Sequence, residues 1–270
     1  MRINYYSVGS AAGLRLLDRG EADFGAVDSR GSPVERLPGQ PCARIAVPMV
    51  RGAVVVAYNL PSLGGSTLVL DASVLAGVYA GRITRWNATS IAALNPSLAL
   101  PAIPIAVIER AAGSGTGRAF TEYLATSGRY SDSIPGDGSR RPTGRAVEGN
   151  EGVAAEVKVT VGAIGFMELA YARQNHLAVS ALVDSAGSVV TPDASASNYP
   201  IQSLTWLVFE PGRTDAARSA AIIDFARWAL RDGAAQAAAF EYRALSPDTV
   251  ARYDSLLAAI DPRRCGQTRH

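Results

Sequence analysis

Short β-branched apolar runs alternate along the chain with amphipathic stretches of helical length. That alternation predicts βαβ units and mostly parallel sheets, so the fold class is α/β. Ile3 to Val8 reads as a strand, Ala11 to Arg19 as a helix with Leu14, Leu16 and Leu17 inward, and Phe24 to Val27 as a second, buried strand. Pro33, Pro38 and Pro41 punctuate a loop, after which Ile45 to Val50 and Ala53 to Tyr58 read as two more strands of the same core. Pro61, Gly64 and Gly65 then break the pattern, and helices are expected at Ala72 to Tyr79 and Thr89 to Leu94. The second lobe starts at Asn59 and includes these helices. It contains a strand at Ile105 to Ile108, a helix at Ser114 to Ala125, a Gly-, Ser-, Pro- and Arg-rich loop from Ser127 to Arg145, and a helix beginning near Asn150. Next come a strand at Ala163 to Phe166 and a helix at Glu168 to Gln174. Beyond the polar stretch Asp184 to Asn198, Leu204 to Phe209 returns to strand, and helices are expected at Ala216 to Arg231, Ala234 to Glu241 and Pro247 to Ile260.

Composition narrows the class. With 270 residues, 48% hydrophobic and 19% charged, the chain can bury one large core or two ordinary ones. A net charge of +2 with scattered Lys and Arg argues against nucleic acid and membrane surfaces, so the expected partner is small. No apolar run approaches the roughly 20 residues of a membrane span, and Met1 is not followed by an export-signal pattern. The two cysteines, Cys42 and Cys265, are too few for a zinc cage and too far apart for a redox pair; a long-range disulfide and two free thiols both remain open. His176, after a helix, and His270, the last residue, read as surface histidines and cannot build a metal cluster or a Ser-His-Asp relay. No catalytic residue, cofactor or metal is expected. Asp23-Phe24-Gly25 imitates a kinase tripeptide without the rest of that motif set, and no Walker loop is present.

Two segments look like anion cradles. Gly9-Ser10-Ala11-Ala12-Gly13 joins a strand to a helix, where backbone N–H groups and a hydroxyl can face a ligand at the positive helix end; a plain tight turn is the alternative. Arg110-Ala111-Ala112-Gly113-Ser114-Gly115-Thr116 combines a guanidinium, two hydroxyls and two glycines at a helix start. Its alternative is an ordinary Ser114 N-cap with Arg110 in a surface ion pair with Glu109 or another acid.

These motifs carry a resemblance. Val8 to Gly13, Ala22-Asp23-Phe24-Gly25-Ala26-Val27-Asp28 and Arg110 to Thr116 resemble the substrate-binding protein of the bacterial phosphate ABC transporter. The stretches Val69 to Asp71, Gly81 to Asn87, Leu94 to Pro96, Gly149 to Ala155 and Gly162 to Phe166 follow that family's order and spacing. The resemblance implies a type II periplasmic-binding-protein clamshell, with residues 1–58 plus 205–270 as the lobe containing both termini and 59–204 as the inserted lobe. It implies a phosphate site made of Ser10 and Asp28 on one lobe and Arg110, Ser114, Gly115 and Thr116 on the other. It also implies a monomer in the periplasm or at the cell surface that feeds the permease of an ABC importer. Trp86, Trp206 and Trp228 are read as core aromatics.

The chemistry of Asp28 agrees with phosphate, since a carboxylate only accepts and repels an anion that brings no proton. Phosphate near neutral pH brings one; sulfate does not. A turn-capping role beside Ser29 is the alternative. Three departures from the family stand out. Its first strand, a small-residue loop and its first helix have no counterpart, so a longer gene product with an export signal is expected. Ala112 replaces an Asp that would orient Arg110, and Ala11 and Ala12 replace a Ser and a Gly. A different oxyanion, a phosphate sensor or scavenger, and a phosphatase on this scaffold are the other function classes to weigh; for the last, Ser10 has no evident base.

Overall fold

The computed structural model describes residues 2–29, 43–128, 144–192 and 198–265. In chain order its elements are α1 (Ser10–Arg19), β1 (Phe24–Ser29), β2 (Ile45–Tyr58), β3 (Val69–Leu70), α2 (Ala72–Tyr79), α3 (Thr89–Leu94), β4 (Ala106–Arg110), α4 (Gly115–Ala125), β5 (Arg145–Val147), α5 (Gly149–Val159), β6 (Ala163–Glu168) and α6 (Leu169–Gln174). There follow β7 (Ala178–Val179), β8 (Ala181–Val183), β9 (Val189–Val190), β10 (Gln202–Phe209), α7 (Ala216–Arg231), α8 (Ala234–Ala238), α9 (Pro247–Ala258) and α10 (Pro262–Cys265). The chain divides into two compact units, Met1–Arg51 with Leu204–His270, and Gly52–Ser203.

Each unit has its own core. In the first, β1 runs antiparallel to β10, and α1 packs on β1. Ile45, Val47, Leu207 and Phe209 meet Ile222, Ile223, Ala226 and Leu230 of α7 and Leu257 of α9. Leu17, Val27, Ala46, Trp206 and Val208 form a second cluster, so of the three leucines of α1 only Leu17 is fully buried. Cys265 is buried and disulfide-bonded, which selects the disulfide of the two alternatives for it; Cys42 lies outside the described residues.

In the second unit β4 runs parallel to both β5 and β6, and β6 pairs antiparallel with Val54 to Tyr58 of β2. A separate three-stranded sheet runs β3-β8-β9. Phe120 of α4 stacks on Phe166 of β6 at 4.2 Å and meets the Tyr79 ring edge-on at 4.8 Å, and none of the three is more than 1% exposed. These rings fix α4 to the sheet, which positions the helix start that carries Ser114 to Thr116.

Four expectations need correction. Residues 2–9 join no strand, and Tyr5 and Tyr6 are 65% and 75% exposed. An apolar run becomes a strand only where a neighbour completes its ladder. The two strands expected over 45–58 are one, because Arg51 exchanges both backbone hydrogen bonds with Arg243 and stays extended although its side chain is exposed. Trp228 is exposed, its ring stacked on Phe225 at the outer face of α7. The eighth helix ends at Ala238, before Glu241, whose φ of +65° is left-handed. The prolines at 33, 38 and 41, most of the loop 127–145, part of 184–198 and His270 lie outside the described residues. His176 is exposed after α6.

Candidate functional site

The first unit brings Ser10 and Asp28 together. Gly9 takes a φ of +80°, open to glycine without strain, and turns the chain directly into α1. Ser10 is therefore the first residue of a ten-residue helix, where backbone N–H groups have no intrahelical acceptor and the helix dipole is positive. Its Oγ accepts from the Asp28 N–H at 3.2 Å, and its own hydrogen remains available to donate. Asp28 sits in β1 opposite Thr205 of β10, and the Thr205 hydroxyl donates to Asp28 Oδ1 at 2.9 Å. The Trp206 indole donates to the Ser29 carbonyl at 3.3 Å and ties the end of the same strand. Asp28 is thus a strand residue bonded across the sheet, not a turn cap. It is half-buried, and Thr205 holds one of its carboxylate oxygens.

The second unit brings Arg110, Ser114, Gly115 and Thr116 together. Arg110 ends β4, only 7% exposed, and Gly113, with φ +84°, turns the chain into α4. Ser114 is the N-cap and accepts from the Gly117 N–H at 3.0 Å, while Gly115 and Thr116 begin the helix, both buried. The capping alternative for Ser114 is thus realised; because a capping oxygen only accepts, the hydroxyl hydrogen can still be given to a ligand. Strand alternation sends Glu109 away from Arg110, and Glu109 Oε1 accepts from the Gly144 N–H at 3.0 Å. Arg110 Nη1 instead donates to Asn150 Oδ1 at 2.7 Å, and that oxygen also accepts from the Glu168 N–H at 3.3 Å.

Sequence reading passed over two side chains. Thr205 is 177 residues from Asp28, so only strand pairing reveals it. Asn150 stood inside a recognised segment, but nothing in its local pattern distinguishes a helix-start asparagine from one that reaches β4.

Both clusters share one chemistry: a helix start, a hydroxyl and a fixed ionisable side chain. One offers a carboxylate acceptor, which suits an anion that still carries a proton, and the other a guanidinium donor, which suits the oxygens of an oxyanion.

Residues 1–232 match the PBP superfamily domain. The phosphate-binding protein PstS of Xylella fastidiosa strain 9a5c is 31% identical over 287 residues, covering 96% of this chain and 78% of the relative. That of Haemophilus influenzae is 31% identical over 282 residues, covering 94% and 84%. Among solved structures, a high-affinity periplasmic phosphate-binding protein bound with phosphate (PfluDING) superposes with a TM-score of 0.63 at 17% identity, covering 85% of this chain and 78% of that one. An ABC-type phosphate transport receptor from Vibrio cholerae gives 0.59 at 18% identity, covering 88% and 86%. At these identities the structures establish the type II periplasmic-binding-protein fold, and the sequence relatives establish more: this chain belongs to the PBP superfamily and, within it, to the family of bacterial phosphate-binding proteins.

Proposed function

We propose that the chain binds inorganic phosphate outside the cytoplasm and delivers it to the permease of an ABC importer. The observation that carries this reading is the fixed carboxylate of Asp28 beside the Ser10 hydroxyl at a helix start. An anion site built only for charge would exclude a carboxylate. One built for monohydrogen phosphate uses it to accept the ligand's proton, while Arg110, Ser114, Gly115 and Thr116 donate to the other oxygens. The proposed phosphate ligands are Ser10 and Asp28 in one unit and Arg110, Ser114, Gly115 and Thr116 in the other, and the names of the relatives support phosphate as the ligand.

Calorimetric titration with phosphate and with sulfate tests the reading. Phosphate is expected to bind one to one and sulfate at least about a hundredfold more weakly, since facing two unprotonated anionic groups costs several kcal/mol. Asp28→Asn, which replaces an acceptor oxygen by a donor, should narrow that gap by admitting sulfate. Equal affinity of the unaltered protein for the two anions would sink the proposal.

A further inference from the structure

Arg110 is the group on which the donor cluster turns, and a guanidinium on a flexible stem binds an anion well only if its plane is already held. Ala112, two residues on, has no side-chain acceptor. An acceptor comes from another element: Asn150 Oδ1, in the first turn of α5, lies 2.7 Å from Arg110 Nη1. We propose that Asn150 is the positioning residue that fixes the Arg110 guanidinium for anion binding.

The geometry makes the amide orientation unambiguous. Its two neighbours, the guanidinium and the Glu168 N–H at 3.3 Å, are both obligate donors, so the group facing them is the oxygen. The Glu168 end of this bridge is itself anchored. Glu168 closes β6, which pairs with β2 and β4, and its buried carboxylate accepts from Ser203 Oγ at 2.7 Å. At the other end Gly149, with φ +67°, starts α5 so that Asn150 faces back toward β4. One amide oxygen thus joins the Arg110 guanidinium to a hydrogen-bonded sheet, and as a neutral acceptor it does so without subtracting a charge from the donor cluster.

The affinity consequence rests on the phosphate reading; the tether itself does not, so two measurements separate them. In ligand-free protein, side-chain nitrogen-15 NMR of Arg110 should show hindered rotation of the guanidinium. That hindrance should be reduced in Asn150→Ala and recovered in Asn150→Asp, which keeps an acceptor oxygen. In phosphate titrations Asn150→Ala should weaken binding about tenfold, the lower end of what loss of an orienting partner costs at a ligand site. The same change in an Arg110→Ala background should do nothing further. Asn150→Leu, of similar volume, substitutes if the alanine variant does not fold. Unchanged Arg110 rotation in Asn150→Ala, or an equal loss of affinity with and without Arg110, overturns the proposal. If the unaltered protein takes up no phosphate, the functional reading fails while the NMR result still decides the tether.

Discussion

Removing the Arg110 guanidinium is the most informative single perturbation. Arg110 is 7% exposed and carries five N–H donors, and Asn150 accepts from Nη1. A fork presenting two donors to phosphate makes two charge-assisted hydrogen bonds, each contributing about 1.5–3 kcal/mol. Arg110→Ala should therefore cost about 3–6 kcal/mol of binding, which weakens the dissociation constant by about 10² to 10⁴. Folding should suffer less, because Asn150 Oδ1 keeps its second donor, the Glu168 N–H, after the guanidinium is gone. Arg110→Lys keeps a charge but not the planar fork and should fall between the two. Calorimetry at fixed ionic strength reads the affinity. Thermal melting gives an independent reading, since phosphate at a hundred times its dissociation constant stabilises the native state by about 2.7 kcal/mol, and that increment should vanish in the alanine variant. A dissociation constant within about threefold of the unaltered value would refute the reasoning, because a buried fork facing the ligand cannot be removed so cheaply.

Thr205→Val deletes the hydroxyl that holds Asp28 while keeping its shape; phosphate affinity should drop about three- to tenfold, the worth of one hydrogen bond, with the melting temperature little changed. Phe120→Ala opens a cavity between Phe166 and Tyr79 under the helix that carries Ser114, and chemical denaturation should show a loss of about 3–5 kcal/mol. Alkaline titration followed by tyrosinate absorbance should separate two classes among the ten tyrosines. Burial holds the Tyr123 and Tyr199 phenols well above their ordinary value of 10.0, with the Asp71 charge adding to the effect at Tyr123, and burial raises Tyr58 as well. Tyr123 and Tyr199 should ionise only on unfolding, and Tyr58 should ionise later than an ordinary tyrosine. Since the unfolded chain gives up these protons near pH 10 and the native state does not, stability should be complete below pH 10 and fall as pH rises beyond it. Ionisation of all ten tyrosines before the unfolding transition would contradict this.

Local pattern alone determined the alternation of strands and helices and the two glycine turns into helix starts. Gly9 and Gly113 turn the chain with positive φ, Ser114 caps, and the apolar faces of α4 and α7 follow helical spacing; each depends on residues within a few positions of one another. What lay beyond that range took the fold to decide. The 3–8 run looks like a strand by alternation yet joins none, because a ladder needs a neighbour that local sequence cannot supply. Arg51 seems to interrupt a strand and does not, since its backbone partner, Arg243, lies 192 positions on. Thr205 holds Asp28, and Asn150 holds Arg110, across separations of 177 and 40 residues. Which hydroxyls and charges stand at the two helix starts was written in residue types there, whereas what holds those atoms still is settled by sheet register and helix packing, which act between segments and leave no mark on either one alone.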